Sequence, residues 1–576
     1  MKSPIKHLIL LVLFFSFFLF NSCNEKEDIE NINTTGINTG TTATNNEVTR
    51  LDQILSLETT KTNLSIVVTD ENKNNISNAE IKINNQIFTT NDTGFVIIEN
   101  IVLNKEFQVI TTKNIGYTTS IKTITPSNNG VTNVSITLLQ PTFEATFNAN
   151  DGGTVSNDNL SIKFPSNAIA DQDGNLYEGE VKTIVTYYDP TSTTFSTTIP
   201  GTLVGLDDDN NMQALISKGM IKVDLTDPAG NELEIFEGKE ATITLPANAN
   251  DPEVIDFWHL NEEKGIWVQT GTATKVDNTY VTTVTHFSTY NLDVKVAPID
   301  ITFNIKNVNG NAIANQRLLL TATKDSNNYT KSIITDNNGE FTIINAPKGA
   351  DFNLDFSSGC DADNTFIIAA GIINESTTKE LIIEDTGNLG SKIKTLEGTL
   401  TLCNDEVFPY KVFTINIVNG STTDIITAYT DDEGKYSVTS LFCYDTSITY
   451  QAEIRVFNDT EIIVKDTEII FDNNFVRELR VCDGNIIEID PTINNNFSDY
   501  FTLSVNQTTN ILNLEVLDED SIEIVGITFH DIPYGNEVGY YYGTTRTMDL
   551  NHLYPDTYSV KIHTNKGVFS SQFTKS

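Results

Sequence analysis

The chain has 576 residues, with 36 Lys and Arg against 77 Asp and Glu and a formal net charge of −41. This balance excludes a nucleic-acid groove, which needs clustered cations, and passive docking on an anionic membrane surface. Hydrophobic residues make up 39% of the chain, enough to bury several cores, while 6 His, 5 Cys and 2 Trp leave few places for catalysis. Abundant Asn, Thr and Ile favour strands and turns, so we predict a multidomain β protein without a cofactor.

Residues 1–22 have the pattern of a secretory signal peptide. Two early lysines precede the apolar run Leu8 to Phe20. As a helix, this run spans roughly 20 Å, which is too short for a bilayer core of about 30 Å. The run leads into Asn21-Ser22-Cys23, which resembles a bacterial lipobox. The resemblance implies that Cys23 is lipidated and anchors the chain to a membrane; an ordinary signal peptide that contains a cysteine is the alternative.

Residues 23–61 are predicted to be a flexible tether, because Asn, Thr and Gly dominate and periodicity is weak. The segment begins with Asn24-Glu25-Lys26-Glu27-Asp28. This acidic cluster resembles the signal that sends some Gram-negative lipoproteins to the outer face of the outer membrane, and a solvated linker is the alternative. We therefore expect an outer-membrane, surface-exposed protein and leave the leaflet face open.

Three stretches repeat one phrase, in which alternating strands lead into a polar turn with glycine. The turns are Thr90–Phe95, Thr335–Phe341 and Thr430–Tyr436. We predict hairpins in which glycine supplies positive φ. The phrase resembles the carboxypeptidase regulatory-like, transthyretin-like β-sandwich. The resemblance implies rigid, non-catalytic spacer or binding units at 62–140 (module I), 298–386 (module III) and 387–484 (module IV).

Residues 141–297 (module II) follow a different pattern. They include Trp258-His259-Leu260, Gly265-Ile266-Trp267 and a closing stretch from Thr285 to Asn291 that contains His-Phe-Ser. This succession resembles the extracellular β-module of the cartilage intermediate layer protein family and of many bacterial surface proteins. The resemblance implies no enzymatic role.

Residues 485–576 (module V) alternate again, notably in Phe501–Val505 and Tyr558–Ile562, which predicts a terminal sandwich. The ending resembles a C-terminal secretion-system sorting domain, although a cleaved tail and a lipid anchor would be redundant. The whole chain is predicted to be all-β, with tandem Ig-like/transthyretin-like β-sandwich domains in an elongated array.

Four cysteines remain besides Cys23, and in an exported chain they suggest disulfides. They are Cys360, Cys403, Cys443 and Cys482. Cys403 ends a first strand and Cys482 a last strand of module IV. Such strands can lie side by side, which favours Cys403–Cys482. A Cys360–Cys443 pair would then tie modules III and IV together. A zinc site is the alternative, without the usual Cys-x-x-Cys spacing.

Several other residues have a possible chemical role, and each also has a simpler structural explanation. The acidic runs Asp171–Asp173, Asp207–Asp209 and Asp431–Glu433 would suit calcium or form solvated turns. His286 would serve as a base, but no nucleophile motif accompanies it, which favours a structural histidine. Large aromatic residues would stack on sugars or fill cores, and these are Trp258, Trp267, Tyr290 and Tyr540-Tyr541-Tyr542. We predict no catalytic residue and no metal site.

Three functions fit this sequence. The first is a non-enzymatic surface lipoprotein whose modules serve adhesion or bind a glycan or protein ligand, with no nucleic-acid partner. The second is a structural spacer or scaffold of an outer-membrane assembly. The third is an enzyme with a site in residues 141–297.

Overall fold

The structure is a computed structural model that describes residue 47 and residues 51–576, apart from short internal gaps. The gaps are 128–129, 357–365, 384–392, 403–405, 420–421, 442–443, 446, 459–460, 472–474, 483, 490–496, 518–521, 523, 533–535, 543–544 and 565–566. The predicted signal peptide, Cys23, Cys360, Cys403 and Cys443 therefore lie outside the described residues. Within the part of the chain that is described, no helix is both long and apolar enough to cross a membrane.

Module I is a sandwich of a three-stranded sheet in the order β4-β1-β7 and a four-stranded sheet in the order β3-β2-β5-β6. Its strands are β1 (Thr59–Thr69), β2 (Glu80–Ile83), β3 (Gln86–Thr89), β4 (Phe95–Asn104), β5 (Gln108–Lys113), β6 (Ser120–Ile124) and β7 (Val131–Thr137). The first strand is parallel to the last. Alternation buries Leu64, Ile66 and Val68 of β1 between the sheets, which makes the core of this module.

Module II is larger, and its thirteen strands form one hydrogen-bonded network. They are β8 (Phe143–Asn148), β9 (Gly153–Asn157), β10 (Leu160–Phe164), β11 (Ile169–Ala170), β12 (Glu180–Tyr188), β13 (Val204–Leu206), β14 (Met212–Thr226), β15 (Glu232–Ile235), β16 (Ala241–Pro246), β17 (Val254–Asn261), β18 (Ile266–Val276), β19 (Thr279–Val284) and β20 (Thr289–Val296). A short helix, Phe195–Thr198, interrupts them between β12 and β13. The long strand β14 pairs with β12, β13, β15 and β20 and so organises the module.

Modules III and IV repeat the strand order of module I. Module III has sheets β24-β21-β27 and β23-β22-β25-β26, and module IV has β31-β28-β35-β36 and β30-β29-β32-β33. The strands of module III are β21 (Pro298–Asn307), β22 (Arg317–Lys324), β23 (Asn327–Ile334), β24 (Glu340–Pro347), β25 (Asp351–Asp355), β26 (Ile367–Ile372) and β27 (Thr377–Ile383). Those of module IV are β28 (Ile393–Leu402), β29 (Val412–Asn419), β30 (Thr422–Tyr429), β31 (Lys435–Leu441), β32 (Tyr450–Asn458), β33 (Glu461–Ile469), β34 (Phe475–Val476), β35 (Glu478–Cys482) and β36 (Asn485–Ile489). The predicted recurrence is therefore a recurrence of topology.

A buried threonine marks the same place in each repeat. Thr90, Thr335 and Thr430 each accept a backbone N–H at 2.9 Å through the hydroxyl oxygen. Each hydroxyl in turn donates to a carbonyl oxygen in the same module, at 2.7–2.8 Å. These paired bonds satisfy a polar group inside each sandwich, which explains why the repeated phrase begins with threonine.

The glycine turns that follow these threonines have the predicted positive φ but not the predicted hairpin. Gly339 has φ 71° and Gly434 has φ 72°. Each turn joins two strands that lie in different sheets, such as β23 and β24, so the turn crosses the sandwich. A Cβ at Gly339 would lie 2.4 Å from the carbonyl oxygen of Ile305. Glycine is needed for this close approach as well as for its φ.

Module V is a sandwich of a different strand order, with sheets β37-β38-β41 and β40-β39-β42-β43. Its strands are β37 (Phe501–Asn506), β38 (Ile511–Val516), β39 (Ile524–Asp531), β40 (Glu537–Tyr542), β41 (Thr547–Asp549), β42 (Asp556–Thr564) and β43 (Gly567–Lys575), preceded by the short helix Phe497–Tyr500. The first two strands are antiparallel neighbours, unlike those of the repeats. The strand β36, just past the predicted start of module V at residue 485, pairs with β35 and so belongs to module IV.

The last part of the predicted tether is folded. Leu51 is fully buried against Leu206, Ile266 and Val268 of module II. Asp52 forms an ion pair with Lys264 at 2.6 Å. A single buried leucine leaves no periodic pattern in the sequence, so composition alone did not indicate this contact. The flexible-tether prediction is wrong for the residues from Leu51 onward.

Modules that are not consecutive in sequence also touch. Ser65 of module I shares a hydrogen bond with Thr427 of module IV at 3.2 Å, and Asn133 of module I donates to Asn315 of module III at 2.5 Å. The consecutive modules III and IV touch as well, since the amide of Ala314 donates to the carbonyl oxygen of Thr439 at 2.8 Å. The two contacts of module I with modules III and IV differ from a string in which only consecutive modules meet.

Candidate functional site

A cavity of about 420 Å³ lies where modules I, II and III meet. Its walls come from β6 and β7 of module I, from residues 196–203 of module II and from β23 and β24 of module III. We call this region the three-module junction. Its volume is within the usual range of small-ligand pockets.

The edge of module I is joined to module II by backbone hydrogen bonds. The amide of Thr123 donates to the carbonyl oxygen of Gly201 at 3.0 Å. The amide of Gly201 donates to the carbonyl oxygen of Ile121 at 2.6 Å. The Thr123 hydroxyl donates to the carbonyl oxygen of Gly265 at 2.7 Å. Gly201 has φ 64°, and a Cβ there would lie 2.6 Å from the side chain of Leu260. The glycine therefore allows the close approach that forms one wall of the cavity.

Module III closes the junction through polar side chains. The Ser127 hydroxyl donates to Asp336 Oδ2 at 2.8 Å, while Asp336 Oδ1 accepts the amides of Asn338 and Glu340 at 2.8 and 2.9 Å. Burial, and then the charge of Asp336, raise the pKa of Glu340. Glu106 and Asp300 also line the cavity. Part of the wall is thus acidic, and one of its carboxylates is held by its own turn.

Two lysines from different modules face the same cavity. Lys122 lies on β6 and Lys331 on β23, and both side chains are half-buried. Desolvation lowers the pKa of each ammonium to about 8. For Lys122, the charges of Lys331 and Arg317 contribute further to the lowered pKa. The two cations are therefore close enough to repel each other.

The motif residues of module II form a separate polar cluster. His259 Nε2 lies 3.0 Å from Glu47 Oε2, and Asn261 donates to Glu47 Oε1 at 2.7 Å. Burial opposes ionisation of Glu47, but these contacts outweigh it and lower its pKa. The ring of His286 stands edge-on to that of His259, with centroids 5.6 Å apart. The cluster therefore holds the N-terminal segment against module II.

His286 has a structural environment. The Tyr290 hydroxyl donates to the backbone carbonyl oxygen of His286 at 2.6 Å, which ties the end of the motif together. Desolvation by the surrounding protein, and then the nearby His259, lower the pKa of His286. Its ring neighbours are His259 and Tyr290, and neither is an activated nucleophile. This geometry favours the structural explanation that the sequence suggested.

The aromatic residues of module II are core residues. Trp258 and Trp267 are fully buried, and Tyr290 is 1% exposed and stacks on Phe257 with ring centroids 4.9 Å apart. Their faces are unavailable to a sugar ring, so the sugar-stacking alternative is wrong for these three. In module V, Tyr540 and Tyr541 are half-buried, and the Tyr541 hydroxyl donates to the carbonyl oxygen of Asp549 at 2.5 Å.

The acidic runs cap their own turns. Asp171, Asp207 and Asp431 each accept two backbone amides through one carboxylate oxygen, at 2.8–3.0 Å. The pKa of Asp171 is lowered chiefly by the amide of Asn175. In each turn the first carboxylate caps the backbone, and that of Asp207 does so while buried, at 5% exposed.

The cysteine pairing remains a prediction. Cys482 ends β35 and is 1% exposed. Its strand is parallel to β28, with Leu402 opposite Val481 at the end of the described register. Cys403 lies outside the described residues, so the Cys403–Cys482 pairing that the sequence favours stays a prediction.

Comparison with known proteins gives limited matches. No protein-family model matches the chain. Human cartilage intermediate layer protein 2 is 33% identical over 109 residues, which is 18% of this chain and 9% of the relative. Pig cartilage intermediate layer protein 1 is 30% identical over 113 residues, which is 19% of each protein. The chain has weak homology to these proteins and spans less than a fifth of their length.

Several solved structures are similar at low identity. The Bacillus anthracis TIE protein is 12% identical, with 75% of this chain and 72% of that chain covered and a TM-score of 0.14. BcpA, the major pilin subunit of Bacillus cereus, is 9% identical, with 73% and 99% covered and a TM-score of 0.11. The chicken CNTN1 FN1-FN3 domains are 9% identical, with 45% and 90% covered and a TM-score of 0.14. These scores are too low to carry an argument about function.

The lysines of the junction were missed by the sequence reasoning. Lys122 and Lys331 lie in ordinary alternating strands, where a lysine is typical of a solvent-facing position. Only the packing of modules I and III brings the two together, and no local pattern announces that packing.

Proposed function

We propose that this protein is a non-enzymatic cell-surface lipoprotein whose β-sandwich modules serve adhesion or ligand binding. Cys23 would carry the lipid anchor in the outer membrane. The observation that carries the binding role is the three-module junction, where a pocket-sized cavity is built from three modules rather than from one.

The fold supports a display role in a second way. The modules are joined by backbone and side-chain hydrogen bonds, such as Thr123 to Gly201 and Ser440 to Gln316, the latter at 2.8 Å. Bonds of this kind hold modules in a defined orientation, which a binding surface made by several modules requires. The weak homology to cartilage intermediate layer proteins is consistent with an extracellular setting.

The experiment on anchoring compares the chain with its Cys23→Ala variant in a Gram-negative host. A fatty-acid probe should label the parent and not the variant, and protease added to intact cells should digest the parent. Cys482→Ala is the control and should keep the label. Labelling that survives Cys23→Ala contradicts the anchor, and protection of the parent from protease contradicts surface display.

A scaffold role is the second candidate, favoured by the contacts between non-consecutive modules. In that case the modules set the position of other proteins, and the purified chain should bind neither glycans nor soluble proteins. Glycan arrays and pull-down with defined outer-membrane proteins separate the two roles.

A further inference from the structure

We propose that the three-module junction is a binding site for a small ligand with a compact oxyanion, such as a phosphate, sulfate or carboxylate group, held between Lys122 and Lys331. The inference rests on the proposed binding function and adds the chemical class of the ligand.

The first argument is that these two lysines lack partners in a chain that is rich in carboxylates. Acidic residues outnumber basic ones 77 to 36. Yet neither ammonium forms an ion pair or a side-chain hydrogen bond with any residue that the structure describes. Other half-buried lysines do find partners, as Lys306 does with Glu380. An unpaired, half-buried pair of like charges is unfavourable unless an anion compensates for it.

The second argument is that both lysines line the same cavity. Lys122 comes from module I and Lys331 from module III, and both line the same space of about 420 Å³. Hydroxyl groups of Ser135 and Ser196 and apolar side chains such as Ile199 line it too. Ammonium and hydroxyl donors suit the oxygens of an oxyanion, and the apolar wall suits the body of a small molecule.

The charged surroundings set the kind of ligand. Arg317 lies near Lys122, while Lys105, Glu106, Asp300, Asp336 and Glu340 also line the cavity. Lys105 is paired with Glu58 at 3.1 Å, and Asp336 is held by Ser127. A polyanion would meet these carboxylates, whereas a single oxyanion on a small ligand needs only the two lysines. The site therefore favours a monoester or monocarboxylate over an extended acidic polymer.

Lysines on edge strands have another known use, which is to prevent pairing with other chains. The edge of β6 is already occupied, because Thr123 and Gly201 are hydrogen-bonded across it. A blocking lysine would also need to project into solvent, and these two are half-buried at the junction. The blocking role therefore does not explain their position.

The pH dependence follows from the lowered pKa values of about 8. Below pH 8 both ammonium groups are charged and bind an oxyanion. Above pH 8 the empty site loses its protons, so the affinity for the anion should fall as pH rises from 8 to 10. In the ligand-free protein, the two half-buried like charges lower the free energy of unfolding, and this destabilisation is complete below pH 8. It diminishes as pH rises from 8 to 10.5, the ordinary pKa of lysine, because over that range the folded protein has already lost protons that the unfolded chain still binds.

Calorimetric titration of the full chain with inorganic phosphate, glucose 6-phosphate and glucose tests the proposal. We expect glucose 6-phosphate to bind at pH 7, glucose not to bind, and the affinity to fall at least tenfold at pH 9.5. Phosphate binding alone would point to a free anion rather than an ester as the ligand. Lys122→Gln and Lys331→Gln should each weaken binding by about 10- to 100-fold, as expected for a lost charged hydrogen bond. Lys306→Gln, a matched control at a half-buried lysine that does not line the cavity, should not change it.

Three results would overturn the proposal. They are no binding of either anion, binding that is unchanged in the double lysine variant, and aggregation of the lysine variants with unchanged anion affinity, which would indicate edge blocking. The melting temperature of each variant without ligand checks folding, and we expect it to equal or exceed that of the parent. Failure of anion binding leaves the Cys23 labelling result intact, so the two proposals fail separately.

Discussion

The contact between modules II and III differs in kind from the contacts that module I makes with modules III and IV. Modules II and III share one apolar cluster, in which Phe195 and Ile216 of module II are continuous with Ile333 and Phe341 of module III. Module I meets module IV through one hydrogen bond between Ser65 and Thr427, an ion pair, and the tilted rings of Phe95 and Phe457, whose centroids are 5.7 Å apart. The first contact resembles a domain core, and the second, which combines polar bonds with one aromatic pair, resembles an interface between separate domains.

This difference teaches how an acidic chain builds a fixed junction from separate sandwiches. Burial of apolar surface supplies the stability of the II–III contact. The polar contacts supply direction, because Asn315 alone accepts from Asn133 of module I and donates to the carbonyl oxygen of Thr427 of module IV at 2.8 Å. Modules II and III should therefore unfold as one unit, while modules I and IV respond more independently.

The largest expected effect comes from emptying the apolar contact. Phe195 is 4% exposed, and its short helix packs against β23 of module III. Phe195→Ala should lower the free energy of unfolding by about 3–5 kcal/mol. In scanning calorimetry, the melting transitions of modules II and III should shift to lower temperature together. Phe529→Ala, in the separate core of module V, is the matched control and should move only module V; independent melting of module III would contradict the shared unit.

The next effect tests whether damage in module IV stays local. At Gly434, φ is 72° and a Cβ would lie 2.8 Å from the carbonyl oxygen of Leu400. Gly434→Val should destabilise module IV by more than about 1 kcal/mol and leave modules II and III unchanged. Gly238→Val is the control that separates backbone strain from steric clash. Gly238 has a similar φ of 76°, but nothing lies within 4 Å of a Cβ placed there. An unchanged melting temperature of module IV would refute the turn assignment.

A smaller effect comes from the asparagine that joins three modules. Asn315 has φ 54°, which glycine tolerates, so Asn315→Gly removes the amide hydrogen bonds without backbone strain. We expect the free energy of unfolding to fall by about 1–2 kcal/mol, as for the loss of one or two hydrogen bonds. Asn78 has the equivalent position and φ 55° in module I. Asn78→Gly should have a smaller effect, and chemical denaturation of the two variants gives the comparison; equal losses would remove Asn315 from the interface.

The smallest effect concerns the ion pair between modules I and IV. Arg455 Nη1 lies 3.1 Å from Asp92 Oδ1, and the Asp92 side chain is 77% exposed. Asp92→Asn should reduce stability by less than about 1 kcal/mol, and less at high salt. The Arg455 hydrogen bond lowers the pKa of Asp92 below its ordinary 3.8, so its contribution is present above pH 3.8 and is lost as pH falls further. Denaturation at pH 7 and pH 3 measures this; a difference as large at pH 3 as at pH 7 would contradict the role of the charge.

The sequence predicts the sandwiches well because alternation and turn chemistry are local. Thr335 and Gly339 mark the repeat through groups that bond within one module. The junction is not local, because Lys122 and Lys331 meet only after two sandwiches have packed. Leu51 is a similar case, since one buried leucine docks a segment whose composition is typical of a linker.

The central claim is that modules I to IV are held in one arrangement by hydrogen bonds that cross between modules. Native-state hydrogen exchange of the full chain tests it at three amides, which belong to Thr123, Gly201 and Ala314. Each donates to a carbonyl oxygen in another module. We predict that these amides exchange as slowly as those inside the adjoining sheets. Exchange at the rate of exposed loops would show that the modules separate in solution and that the junction is not a stable site.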